Sequence, residues 1–221
     1  MFSSLRLRGS PRLLWLLAAS VLVAGSGCLP LAANLMHVMR GGQVPPEFDK
    51  LQGKRVAVVC GSEAGIGVDS SSLTLAHNLS NLLRIRGKKI DTIGQDQIDR
   101  WLSSYADQEQ DYLEIGRGVR ADYVLAVQMN GLRLREGQTL FRGQCDLEIQ
   151  VIDVSRGPRP VFYKSLPNFA YPRVGGQSTH ETDAVKFERV FLAVVAEHIS
   201  RYFCPHDIGA DVALDAAAFQ F

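Results

Sequence analysis

The chain has little of what marks the commoner function classes. Lysine plus arginine number 24 and aspartate plus glutamate 23, a formal net charge of +1 over 221 residues. The strongly basic balance of a nucleic-acid binder is therefore missing. Loss of residues 1–27 would remove Arg6, Arg8 and Arg12 and no acid, leaving 21 bases against 23 acids, or −2, which excludes nucleic acid more firmly. There are four cysteines, Cys28, Cys60, Cys145 and Cys204, with no CxxC pair and no metal-ligand spacing. No uninterrupted apolar run reaches the roughly 20 residues a spanning helix needs, and no internal repeat is visible. What remains is ordinary: 46% apolar and 21% charged residues suit a globular protein and rule out disorder throughout. The length allows one domain with tails.

The N-terminus is the most informative stretch. Arg6, Arg8 and Arg12 form a positive region, and Leu13 to Ala24 (LLWLLAASVLVA) is an apolar run of signal-peptide length. Gly25-Ser26-Gly27 then precedes Cys28. This resembles the lipobox of bacterial lipoproteins, in which small residues precede a cysteine that is lipidated before cleavage. The position three before the cysteine, usually aliphatic, is Gly25 here. The resemblance implies residues 1–27 as signal peptide, Cys28 as the lipidation site, and a membrane-anchored domain facing the periplasm. An alternative is an uncleaved anchor, because apolar residues resume after Cys28 and 13–39 would span with Pro30 as a kink. With Cys28 lipidated, one disulfide among Cys60, Cys145 and Cys204 stays open, as do buried thiols.

Residues 28–50, broken by Gly41-Gly42 and Pro45-Pro46, read as a tether, and the composition turns globular at Leu51. Lys54 to Cys60 (KRVAVVC) is a buried strand. Leucines at 73, 75, 79, 82 and 83 with Ile85 predict a helix stopped by Gly87 and capped by Asp69 or one of Ser70 to Ser72. Lys88 to Ile93 predicts a second strand, Gln95 to Ser104 a second helix, and Tyr112 to Val119 a short third. Asp122 to Arg133, Leu140 to Val154 and Val161 to Phe169 read as an antiparallel meander, its last strand placed at an edge by Pro167 and Pro172. A helix over 184–203 has a wide apolar face for packing on the sheet. Residues 205–221 read as a loose C-terminal tail. The expected fold is α/β: a mixed sheet of two N-terminal βα units and a three-strand antiparallel meander, flanked by helices, with the final helix packed on it.

Three constellations invite a chemical reading. Cys60-Gly-Ser-Glu-Ala-Gly-Ile-Gly67 resembles the TGxxxGIG loop of short-chain dehydrogenases, in which Gly61, Gly65 and Gly67 would admit a pyrophosphate to a helix N-terminus. Val68 to Ser72 intervenes before the helix, and no YxxxK follows at a suitable distance. An exported nucleotide-binding enzyme is thus the alternative, with a surface loop as the plainer account. Ser178, His180 and Asp183 suggest a nucleophile and base, but the expectation is an N-cap region in which Ser178, Thr179 or Thr182 caps the last helix, with Glu181 in its first turn. His198, Cys204 and His206 match no metal signature, and a histidine bonding helix-end carbonyls is expected. No catalytic residue, metal or cofactor is assigned. Trp101, Phe162, Tyr163, Phe169 and Tyr171 are expected in the core, with Phe169-Ala-Tyr171 as an alternative contact patch.

KRVAVVC at 54–60, the helix through Leu82-Leu83, and Arg120-Ala-Asp-Tyr-Val-Leu125 running on to Val151-Ile-Asp-Val154 together resemble a periplasmic group. It comprises the N-terminal domain of TolB, the curli-export lipoprotein CsgG and the penicillin-binding-protein activator LpoB. The resemblance covers residues 51–204. It implies a non-enzymatic domain that binds an envelope protein in cell-envelope or transport assembly. A pore is disfavoured, since one long hairpin, Val124 to Val154, is visible and its tip from Arg133 to Gln138 is polar.

Overall fold

A computed structural model describes residues 43–87, 89–105, 111–180 and 182–207. Cys28, the signal segment and the tail beyond Asp207 lie outside the described residues. From Val44 to Asp207 the described residues form one compact unit. Its main strands are β1 (Arg55–Ser62), β2 (Gly65–Ile66), β3 (Asp91–Thr92), β4 (Tyr123–Glu136), β5 (Leu140–Asp153), β6 (Pro160–Tyr171) and β7 (Gln177–Ser178). The helices are α1 (Ser70–Arg86), α2 (Gln95–Ser104), α3 (Tyr112–Gly118) and α4 (Ala184–Ser200).

The sheet runs β2-β1-β4-β5-β6, with β3 also beside β1 and β7 also beside β5. Pairings β1–β3 and β1–β4 are parallel and the remainder antiparallel. This is the mixed sheet expected, with the meander in β4-β5-β6 and β6 at the edge. Among the described residues of the predicted 88–93 strand, only Asp91–Thr92 pairs. Ile90 and Ile93, flanking it, are buried on opposite faces of the sheet instead.

The faces of the sheet differ. Val56, Val58 and Cys60 on β1, Leu125, Val127 and Met129 on β4, and the odd-numbered residues Cys145 to Val151 on β5 meet α1 and α4. The alternating residues Ala57, Val59, Val124, Ala126 and Ile152 meet α2 and α3. Central strands buried on both sides explain the continuous apolar run of β1. On α1 the helical stripe narrows to Leu75, Leu79 and Leu83 at four-residue spacing, with Leu82 partly buried; Leu73 and Ile85, expected in the stripe, are exposed. On α4, Phe187, Phe191, Val195 and Ile199 are fully buried, whereas Val185 faces solvent. The helix ends at Ser200, and 201–203 continue as turns that keep Phe203 and Cys204 buried.

Phe48, within the segment read as tether, is 7% exposed. Its ring lies 5.5 Å from Phe162 and its N–H donates to Tyr202 O at 2.9 Å. Nothing in the residues before Leu51 marked it, because a lone aromatic among prolines carries no period.

Candidate functional site: a closed glycine turn, an open sheet face and an arginine-bearing ribbon

Gly61 to Gly67 forms a tight hairpin. Gly61 pairs with Ile66 and Ser62 with Gly65, and Gly67 N–H donates to Cys60 O at 2.9 Å. Each glycine has a packing or backbone reason. A Cβ on Gly61 would lie 2.8 Å from Gln128 Oε1, the acceptor for Tyr112 OH at 3.0 Å. Gly67 has a φ of +64°, and its Cβ would meet Leu102 Cδ1 at 2.9 Å. The helix start that a pyrophosphate would need is already occupied. Asp69 caps α1, its Oδ1 accepting from Ser72 N at 2.8 Å and its Oδ2 from Ser62 Oγ at 2.6 Å and Ser72 Oγ at 2.8 Å. Burial works to raise the Asp69 pKa, and these hydrogen bonds outweigh it and hold it below the ordinary carboxylate value. A fixed negative charge at this point opposes a phosphate. The dinucleotide reading fails on that geometry.

The second constellation disperses into local structure. Ser178 Oγ accepts from His180 N at 3.2 Å, and Asp183 Oδ1 accepts from Lys186 N at 2.8 Å. The cap of α4 is therefore Asp183, not Ser178, Thr179 or Thr182 as expected; the carboxylate sits one residue before the helix, where it also favours the dipole. Glu181 lies outside the described residues. His198 Nε2 stands 3.4 Å from Tyr202 OH, and His206 Nδ1 3.4 Å from Cys204 O. Among the described residues no His, Cys, Asp and Glu group is placed to hold a metal, and no helix is long and apolar enough to cross a membrane.

The three described cysteines are free and buried. Burial first, then the Asp146 charge, pushes the Cys145 thiol up to about 12, and burial pushes Cys204 up to about 11 and Cys60 higher still. Thiols held protonated in this way are poor nucleophiles.

Two features remain that face solvent in an organised way. Helices α2 and α3 cover the small face over β1 and β4 and reach β5 only at Ile152. Beyond them, β5 presents Gln144, Asp146, Glu148 and Gln150 opposite its buried odd-numbered residues, and β6 adds Tyr163 and Ser165. Tyr163 is 54% exposed, whereas Tyr171 is buried and Phe169 packs 6.1 Å from Phe191. Thus the Phe169-Ala-Tyr171 segment belongs to the core, and Tyr163, expected in the core, is the aromatic on the open face. The β6 alternation separates them, with a bulge between the Leu166 and Phe169 pairings.

The second feature is the β4–β5 ribbon, which continues past the last β1 pairing at Gln128 with β5 as the strand neighbour of β4. A bulge between Asn130 and Arg133 leaves Gly131 N–H to be taken by Glu63 Oε1 at 3.2 Å. Beside it is a cleft of about 320 Å3 bordered by Glu63, Arg133, Gln144, Asp146 and Asn168. Across it, Asp146 Oδ1 accepts from Asn168 N at 2.7 Å. These polar contacts are 22 and 68 residues apart in sequence, so no local motif announced them.

No family model and no curated protein matches the sequence. Solved structures that resemble it include the PelC dodecamer from Paraburkholderia phytofirmans, at 17% identity over 73% of this chain and 95% of that one, TM-score 0.44. Lipoprotein GNA1162 from Neisseria meningitidis matches at 11% identity over 66% and 98%, TM-score 0.41. The NMR structure of E. coli LpoB matches at 17% over 53% and 58%, TM-score 0.38. At these values the likenesses say nothing of activity or partner, and the functional reading rests on this chain's own residues.

Proposed function

We propose that this chain is a non-enzymatic lipoprotein of the bacterial cell envelope. Its signal segment is removed, Cys28 carries the lipid, and the α/β domain faces the periplasm and binds a partner protein in envelope or transport assembly. The observation that carries the reading is the order of Arg6, Arg8 and Arg12, the apolar run Leu13 to Ala24, and Gly-Ser-Gly-Cys28. Two or more acyl chains on that thiol hold a domain firmly at a membrane, where one chain binds marginally. The domain supports a binding role through what its polar groups already do: Asp69 and Asp183 cap helices, and the glycines close a turn. Its solvent-facing polar surface, the open half of the sheet and the ribbon, is of the kind that carries recognition.

The test is metabolic labelling with palmitate in cells expressing the full chain and Cys28→Ser. Label on the first, none on the second, and recovery of the first in membranes supports the anchor. Unlabelled protein in the soluble cytosolic fraction contradicts it. Crosslinking in intact envelopes tests the second half of the reading, and a chain that never forms a discrete adduct contradicts partner binding.

A further inference from the structure

The domain is charged unevenly from end to end. The pairings Arg55–Asp91, Val56–Tyr123, Tyr123–Asp153 and Ile152–Pro160 set the starts of β1, β3, β4 and β6 beside the finish of β5. The last turns of α1 and α4 come to the same end: Gly53 N–H donates to Lys89 O at 2.9 Å, and Arg86 pairs with Glu197. Val44, where the compact unit begins, borders one cleft with His198, Arg201 and Tyr202. The chain leading back to Cys28 therefore leaves from this end. Among the described residues, the segments that form it, 44–55, 84–91, 117–123, 153–160 and 197–207, hold eleven lysines and arginines against seven carboxylates. The segments of the opposite end, 61–72, 111–114, 130–146 and 168–188, hold five against eight.

The basic excess has a centre. Arg84 and Arg86 stand in the last turn of α1 and Lys89 in the turn after it. Lys54 is joined to that turn, since Asp91 N–H donates to Lys54 O at 3.1 Å and Gly53 is bonded to Lys89. Lys50, Lys54, Arg84, Arg86 and Lys89 are all exposed. The carboxylates of this end are drawn elsewhere: Glu47 pairs with Lys164, Asp153 with Arg156, and Glu197 lies between Arg86 and Arg201. Between the two arginines of α1 stands Ile85, 75% exposed. The stripe that buries Leu75, Leu79 and Leu83 leaves this isoleucine on the outer side of the helix, so the core does not account for it. Arginines in a last turn suit the helix dipole, but the dipole explains neither Lys50 and Lys54 nor Ile85.

We infer that this basic end lies against an anionic phospholipid surface, with Lys50, Lys54, Arg84, Arg86 and Lys89 at the headgroup phosphates and Ile85 toward the acyl boundary. The inference rests on the anchor reading and adds which end meets the membrane. Cys28 stands sixteen residues before Val44, and a chain of that length spans at most about 55 Å. Lipid on Cys28 thus keeps this end near the bilayer, where clustered bases are drawn to anionic headgroups within a Debye length. The opposite end exposes more aliphatic surface, at Val68, Val174 and Val185, but an anionic surface repels its acid excess.

The test uses the full chain, extracted from membranes and reconstituted on vesicles of phosphatidylcholine alone or with phosphatidylglycerol, each doped with a headgroup-nitroxide lipid. A thiol-reactive fluorophore is placed at Gln52→Cys, in the exposed turn beside Lys50 and Lys54, or at Val174→Cys, at the opposite end. Cys60, Cys145 and Cys204 are buried and stay unlabelled. Nitroxide quenching at position 52 is expected to be at least about fivefold stronger with phosphatidylglycerol, the contribution of a single engaged base. Added salt weakens it, and position 174 shows no such difference. R84E/K89E, which keeps the Arg86–Glu197 pair, abolishes the difference, Ile85→Ser reduces it, and R173E leaves it unchanged; circular dichroism confirms that each variant folds. Equal quenching in the two kinds of vesicle, an R84E/K89E response like the parent's, or stronger quenching at position 174 overturns the inference. So does a response at position 52 to soluble polyglutamate without one to phosphatidylglycerol, which assigns this end to an acidic protein. Flotation separates the two failures: protein that floats with both vesicles but shows no difference loses the lipid-facing surface alone, and protein that floats with neither loses the anchor as well.

Discussion

The two faces of the sheet are built to different degrees. Under α1 and α4 the described residues place 28 buried side chains in one cluster, including Phe141, Phe187, Phe191 and Phe203; under α2 and α3 the other cluster holds 11, mostly alanine, valine and isoleucine. The large face spans every long strand. The small face reaches only Ile152 at the end of β5 and leaves the rest of β5 and β6 polar toward solvent. Stability thus resides on one side, and the other is free to vary its surface, as antiparallel strands with one wet face commonly do. The strand order follows from this division: β1 and β4, buried on both sides, stand inside, and β6 stands at the edge.

The largest effect expected is on the large face. Phe191→Ala removes a fully buried ring that also fills the space over Gly143, and chemical denaturation is expected to show a loss of about 3–5 kcal/mol. Gly143→Ala attacks the same contact from the strand. Its Cβ would stand 2.1 Å from Phe191 Cδ2, so overpacking of about 1–3 kcal/mol is expected, and a shift of the denaturation midpoint checks it. If both variants unfold at the parent's midpoint, the division of labour between the faces is wrong.

How far the sequence foretold this division depends on the kind of signal. Strand β1 was legible because KRVAVVC is apolar at every inner position, and the pairing of β4 with β5 was legible because Leu147, Ile149 and Val151 alternate with Glu148 and Gln150. The glycine turn was legible as a loop and ambiguous as chemistry. Gly61 makes room for Gln128 and Tyr112, which come from elsewhere in the chain and leave no mark beside it. Asp183 escaped as a cap because serine and threonines nearby carry the same propensity, and hydrogen-bond geometry alone chooses among them. Arg135 over Phe141 and Glu63 on Gly131 are tertiary contacts with no local signature.

A smaller effect sharpens the comparison at the boundary between the faces. Asp69→Ala removes the α1 cap and is expected to cost about 1 kcal/mol in urea. The folded pKa of Asp69 lies below its unfolded value. Its contribution is therefore complete above the ordinary carboxylate pKa and is lost as pH falls through the lower folded value. Asp69→Asn keeps a capping side chain without that titration, so its stability relative to the parent improves on acidification from neutral pH to about pH 3. A constant gap across that range, read from urea midpoints, contradicts the assignment.

The smallest effect belongs to the open face. Glu148→Gln and Gln150→Ala stand on the solvent side of β5 and are expected to change stability by less than about 0.5 kcal/mol. A loss comparable to that at Gly143 in thermal melts would mean that something covers this face in the free protein.

The central claim is that the fold is held outside the cytoplasm by lipid on Cys28. Intact-mass measurement of the membrane-extracted protein tests it most directly. The account predicts a polypeptide beginning at Cys28 and carrying a diacylglyceryl group, with or without a further acyl chain. A mass that retains residues 1–27, or a cleaved chain with an unmodified cysteine, would contradict it.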